Sequence, residues 1–150
     1  MTYYFQFEEE FVTNLRCIPM VVRYKLDTCG IKLKLSQWNQ FSPQERQALV
    51  DKNCTEPHEI QVYREWLQKL IIQYTNIPAT DLVVEPNPAW MDTANIPDIV
   101  EEKAKEIGVQ LTLEKWALLT PLQRFALIKL SRPSHENKNF LPALQELNLT

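Results

Sequence analysis

The two histidines of the chain are each followed by a glutamate, as His58-Glu59 and His135-Glu136. An imidazole beside a carboxylate can ligate a divalent metal or relay protons near neutral pH. Converging, the two pairs would supply four donors to one metal or polar site. The plainer reading sets each pair at a helix start, where the ring nitrogens bond local backbone and the dipole favours a carboxylate. No H-x-x-x-H spacing accompanies either pair, which weighs toward that reading. Arg46 and Arg124 could hold an anion in a planar guanidinium fork, but a salt bridge joining two parts of the chain is the expected use. Cys17, Cys29 and Cys54 are odd in number and lack C-x-x-C spacing. They form neither a disulfide framework nor a zinc or iron–sulfur motif, and free, mostly buried thiols are expected. With only two glycines, the chain has no phosphate-cradling loop and no G-x-S-x-G. No catalytic set is recognisable, no bound cofactor or metal is expected, and the chain is not expected to be an enzyme.

The arginines and the His-Glu pairs belong to a longer internal correspondence. VVRYKLDTCGIKLKLSQWNQFSPQERQALV (21–50) aligns without a gap on IVEEKAKEIGVQLTLEKWALLTPLQRFALI (99–128), a shift of 78. Val22, Lys25, Gly30, Leu33, Leu35, Trp38, Pro43, Arg46, Ala48 and Leu49 meet Val100, Lys103, Gly108, Leu111, Leu113, Trp116, Pro121, Arg124, Ala126 and Leu127. At a shift of 77, His58-Glu59 falls on His135-Glu136 and Tyr63 on Phe140. Both glycines and both histidines thus occupy matched positions, the signature of an internal duplication.

Each repeat reads as helices. Pro19 and Pro97 suit a first helical turn, and Val22, Leu26, Cys29 and Val100, Ala104, Ile107 follow at helical spacing. Gly30 and Gly108 stand where a helix ends in a left-handed residue. The I/V-x-L-x-L stretches after them alternate as a strand would, but as two short, separated segments they are expected as extended connectors leading to brief helices around Trp38 and Trp116. Both tryptophans belong in the core. Ser42-Pro43 and Thr120-Pro121 carry the N-cap and first-turn pattern of another helix. Tyr63, Trp66, Leu67, Leu70, Ile71 and Tyr74 form the stripe of a longer one, with Arg64, Glu65, Gln68 and Lys69 facing away; its counterpart contains Pro142 and should start late. The expected fold is all-α: a single domain over 1–150, with tandem helical repeats at about 20–74 and 97–147 packed about a pseudo-two-fold axis. A Pro-rich but ordered connection (75–96) joins them. An N-terminal arm over 3–18 is expected to be partly helical from Glu8 to Leu15, with Glu8-Glu9-Glu10 a solvated helix start.

Composition narrows the function. The 150 residues are 45% hydrophobic and 23% charged, an ordinary globular balance. A net charge of -3 disfavours nucleic acid, which calls for a basic stripe. No apolar run reaches the roughly 20 residues of a membrane helix, and the N-terminus lacks a basic-then-apolar signal, so a cytoplasmic protein is expected.

Matched residues serve a shared scaffold; unmatched exposed ones are freer for a specific task. Lys32 and Lys34 form a basic edge where the other repeat has Gln110 and Thr112. Arg16, Cys17, Pro19 and Met20, within Leu15–Met20, have no counterpart, nor do Trp90 and Met91. A partner surface is expected at these eight residues.

The strings LRCIPMVVRYKLDTCGIKLKLSQW (15–38) and LTPLQRFALIKLSRPSHENKNFLPALQEL (119–147) resemble the nitrate reductase-associated protein family of cyanobacterial type, a likeness running from Phe5 to Leu147. The resemblance implies a role in nitrate assimilation and in the full activity of a ferredoxin-dependent nitrate reductase, a molybdopterin and iron–sulfur enzyme. It carries no catalytic residue onto this chain. The expected function is an accessory protein for maturation or activity of assimilatory nitrate reductase, bound as mature enzyme or apo form. The alternatives are a small metal- or cofactor-handling protein using the His-Glu pairs, and a self-contained enzyme with its site in a deep polar pocket.

Overall fold

A computed structural model of the chain describes residues 4–9 and 15–150, with the side chains of His135 and Glu136 outside that description. The protein is mostly helical and folds as two compact units. One comprises residues 15–84 with Tyr4, Glu8 and Glu9; the other comprises Glu85–Thr150 with Phe5–Phe7. The Pro-rich connection is therefore divided, its 75–84 part packing with the first unit and its 85–96 part with the second. The helix expected over Glu8–Leu15 falls largely on residues 10–14, outside the described residues.

The first unit holds α1 (Met20–Cys29), β1 (Ile31–Lys32), α2 (Leu35–Trp38), α3 (Pro43–Asp51), α4 (Pro57–Thr75) and β2 (Thr80–Asp81). Pro19 precedes α1 as its cap residue rather than opening its first turn, a one-residue difference within the ordinary fraying of helix ends. Gly30 stops α1 at φ 79°, its N–H bonding the Leu26 carbonyl. The Ser42 hydroxyl accepts from the Glu45 N–H while the Glu45 carboxylate accepts from the Ser42 N–H at 2.7 Å, a reciprocal cap at the start of α3. On α4, Tyr63, Leu67, Leu70 and Ile71 are buried, against a core that includes Val22, Leu26, Ile31, Trp38, Phe41 and Leu49. The stretch after Gly30 is more than a connector. Ile31 and Lys32 pair antiparallel with Asp81 and Thr80.

The second unit holds α5 (Asp98–Glu106), α6 (Leu113–Leu118), α7 (Pro121–Ser131) and α8 (Phe140–Glu146), with 3₁₀ turns at Ala89–Met91 and His135–Asn139; of a further 3₁₀ turn, Gln6–Glu8, Gln6 and Phe7 belong to this unit and Glu8 to the first. Its helices start at Asp98, Leu113 and Pro121, each 78 residues after Met20, Leu35 and Pro43. Gly108 has φ 77°, and beyond it the Val109 N–H reaches back to the Ala104 carbonyl. Thr120 caps α7 as Ser42 caps α3. The α7 helix is the centre of this unit, burying Phe125, Ala126, Leu127 and Leu130 and packing on α5, α8 and the Ala89–Met91 turn. The α8 helix does begin late, at Phe140. Phe5 is buried, its ring 5.3 Å from that of Phe7, and the Gln6 N–H donates to the Glu146 carboxylate.

Candidate functional site

Glu59 stands in the first turn of α4, and its carboxylate turns back to accept the N–H groups of Glu56 (2.9 Å) and Thr55 (3.2 Å). The bond from Glu56 leads in holding its carboxyl below the usual glutamate value, with Thr55, Asn53 and the neighbouring His58 adding to it. Glu59 is thus a helix cap beside an exposed His58. His135 and Glu136 open the 3₁₀ turn before α8. Among the described residues, no group of three or more His, Cys, Asp or Glu is placed to hold a metal ion.

Both matched arginines bind backbone carbonyls. Arg46 donates to the carbonyls of Trp38 (Nε, 3.2 Å), Leu15 (Nη1, 3.4 Å) and Asn39 (Nη2, 3.0 Å), with its guanidinium 5.9 Å from the Trp38 ring centre. Arg124, 4% exposed, donates to the carbonyls of Trp90 (Nε, 2.6 Å), Trp116 (Nη1, 3.4 Å) and Leu119. A planar fork suits carbonyls that diverge from a helix end and a passing strand, and each arginine stitches such carbonyls within its own unit. The fully buried tryptophans add one bond each, Trp38 Nε1 to the Leu15 carbonyl (2.8 Å) and Trp116 Nε1 to the Asp92 carbonyl (2.9 Å).

These bonds decide where the expected partner residues lie. Leu15 is buried in the left-handed region (φ 55°), where its carbonyl meets both Trp38 and Arg46. Pro19 and Met20 are buried behind it, so these two expected surface residues belong to the interior. Arg16 is exposed and Cys17 half-buried. Trp90 is half-buried, its ring edge-on to Phe125 at 5.1 Å, while the neighbouring Met91 is exposed. Lys32 and Lys34 are exposed, next to an exposed Leu35.

Three roles were not read from the sequence. Glu8, expected to be solvated, is 1% exposed and accepts the Met20 N–H at 2.8 Å, capping α1 from outside that helix. Arg64, expected to face away, donates from Nη1 to the carbonyls of Cys29 and Gly30 (both 2.9 Å) and from Nη2 to Asp81. Gln68, on the same side, accepts the Ala79 N–H. A carboxylate one helix away and an arginine that reaches a later loop leave no periodic trace; the only signal was the polarity of the residues themselves.

The buried thiols are inert. Burial pushes Cys29 up to about 11 and Cys54 up to about 12, far from thiolate chemistry at neutral pH. Burial likewise lowers the Lys25 ammonium, whose Nζ is taken up by the carbonyls of Val50 and Lys52. Among the described residues, every buried side-chain nitrogen and oxygen has a partner. A cavity is present in the second unit: an open groove of about 450 Å³ along Glu101, Lys105 and Gly108–Leu111.

A family model described as conserved nitrate reductase-associated protein matches residues 4–147. The chain belongs to that family. No curated protein and no solved structure matches it. The family name concerns a protein associated with the reductase rather than the reductase itself. Among the described residues, no helix is long and apolar enough to cross a membrane.

Proposed function

We propose that the protein is a cytoplasmic accessory factor that binds assimilatory, ferredoxin-dependent nitrate reductase, or its apo form, and supports its maturation or activity. The family match over residues 4–147 carries the reading. The structure is compatible with it: Arg46, Arg124, Arg64, Glu8 and Glu59 all bind backbone groups. A binding factor of this kind acts through differential affinity, stabilising whichever state of the enzyme it binds more tightly.

Two measurements test it. Tagged protein from nitrate-grown cells should retain the reductase, and deletion of the gene should lower reductase activity per molecule or its cofactor load. A fully active, fully loaded reductase in the deletion strain would refute the proposal. We also read the two units as copies of one ancestral helical unit. The 78-residue spacing of three helix starts, the two positive-φ glycines and the arginine–carbonyl arrangement in each unit support this.

A further inference from the structure

The internal correspondence becomes informative where the two units differ. In the first unit, the residues after Gly30 are covered. Thr80–Asp81 pair with Ile31–Lys32, the Leu82 N–H donates to the Gly30 carbonyl at 2.8 Å, and a Cβ on Gly30 would lie 2.8 Å from Val84 Cγ2 and 3.1 Å from the Leu82 oxygen. An extended acidic-apolar segment, Thr80-Asp81-Leu82-Val83-Val84, is therefore laid along that edge, and Arg64 locks its carboxylate.

In the second unit, the backbone edge of the equivalent stretch, Gly108–Leu111, carries no paired strand among the described residues, although the Leu111 side chain is buried and Val109 half-buried. Nothing lies within 4 Å of a Cβ built on Gly108. Among the described residues, neither the Gly108 carbonyl nor the peptide groups of Gln110 and Leu111 take part in a hydrogen bond. The groove of about 450 Å³ runs along this edge, within the roughly 300–1,000 Å³ of ligand clefts. Its wall is α5, which presents Glu101 from its first turn and an exposed Lys105 from its last, neither in an ion pair among the described residues. No arginine equivalent to Arg64 is there, since Leu141 and Pro142 stand 77 and 78 residues on.

We propose that Gly108–Leu111 is a strand-docking edge for an extended segment of a partner protein: an acidic residue followed by apolar, β-branched residues. The segment adds antiparallel, as residues 80–84 do on the first unit. Strand addition satisfies the open peptide groups, the small surface of Gly108 admits a β-branched side chain, and Lys105 receives the acidic residue. A second copy of this chain fits less well, because its own segment of this type is already paired within its first unit. The inference rests on the internal correspondence and not on which protein supplies the strand, so it stands or falls separately from the nitrate reductase assignment.

The test uses the full chain and a synthetic peptide of residues 78–85 (PATDLVVE) as the probe, with backbone amides followed by NMR. Saturable shifts are expected at Gly108–Leu111. Gln110→Pro, which removes an edge N–H, should weaken binding about tenfold or more, whereas Gln110→Ala should leave it nearly unchanged. Lys105→Glu, which leaves the edge backbone intact, should weaken binding severalfold, and so should Asp81→Asn in the peptide. Equal melting temperatures of Lys105→Glu and the parent exclude misfolding. Absence of shifts at 108–111, shifts confined to Gly30–Lys32, or binding indifferent to both Gln110→Pro and Lys105→Glu would overturn the proposal. So would concentration-dependent self-association of the chain that Gln110→Pro abolishes.

Discussion

At the scale of single residues, the two glycines separate backbone freedom from packing. Both sit at positive φ, 79° and 77°, where a Cβ costs about 1 kcal/mol. Gly108→Ala should therefore lower stability by about that amount. At Gly30 the new Cβ would also meet the Leu82 carbonyl oxygen at 3.1 Å, which is backbone and yields poorly. Gly30→Ala should destabilise by about 2–3 kcal/mol, and denaturant titration of both variants gives the comparison. The arginines invite a parallel experiment. Arg124→Met strands carbonyls of Trp90, Trp116 and Leu119 and should cost about 3 kcal/mol, while Arg46, half-buried, leaves carbonyls that water can reach and should cost about 1–2 kcal/mol. Lysine should rescue neither, because one ammonium cannot span three diverging carbonyls.

At the scale of elements, the junction of α3 with the far end of α4 is tied by one carboxylate. Glu45 caps its own helix and also accepts the Tyr74 hydroxyl at 2.6 Å, with the Tyr74 ring 5.6 Å from Phe41. Burial pushes the Glu45 carboxyl up, but the Tyr74 and Ser42 donors outweigh it and leave it below the usual value of 4.5. A carboxyl depressed by folding contributes stability above the unfolded value, and that contribution is lost as the pH falls through the lower, folded value. Tyr74→Phe keeps the ring and removes one of those donors. Its destabilisation, measured by urea at pH 7 and again near pH 3, should be larger at pH 7; an equal loss at both would mean that the hydroxyl does not act through Glu45.

At the scale of the whole molecule, the charged groups divide into those that hold backbone and those left at the surface. Lys32 and Lys34 are of the second kind. Among the described residues, Lys32 has only its strand bonds to residue 80, and Lys34 uses its backbone for the Gln37 carboxamide and the start of α2. Reversing both to glutamate should change stability by no more than about 0.5 kcal/mol. If this edge contributes to reductase binding, the same variant should recover less reductase from nitrate-grown extracts, while charge reversal at Glu102 and Glu114, also exposed, serves as the control. Undiminished recovery by the lysine variant would remove this edge from the partner surface.

The helix ends were legible in the sequence because they are local: Ser42-Pro43, Thr120-Pro121 and the two glycines act on backbone groups within four residues of themselves. The buried stripe of Tyr63, Leu67, Leu70 and Ile71 was legible for a similar reason, since helical period alone puts these residues on one face. Nothing local could assign Glu8 to the end of α1, Arg64 to the carbonyls of Cys29 and Gly30, or Pro19 and Met20 to the interior. Nor could spacing show that residues 80–84 cover the backbone after Gly30 while, among the described residues, the backbone after Gly108 carries no paired strand. A polar side chain on a helix reads the same whether it faces water or a distant carbonyl, and only the path of the rest of the chain through space decides which it meets.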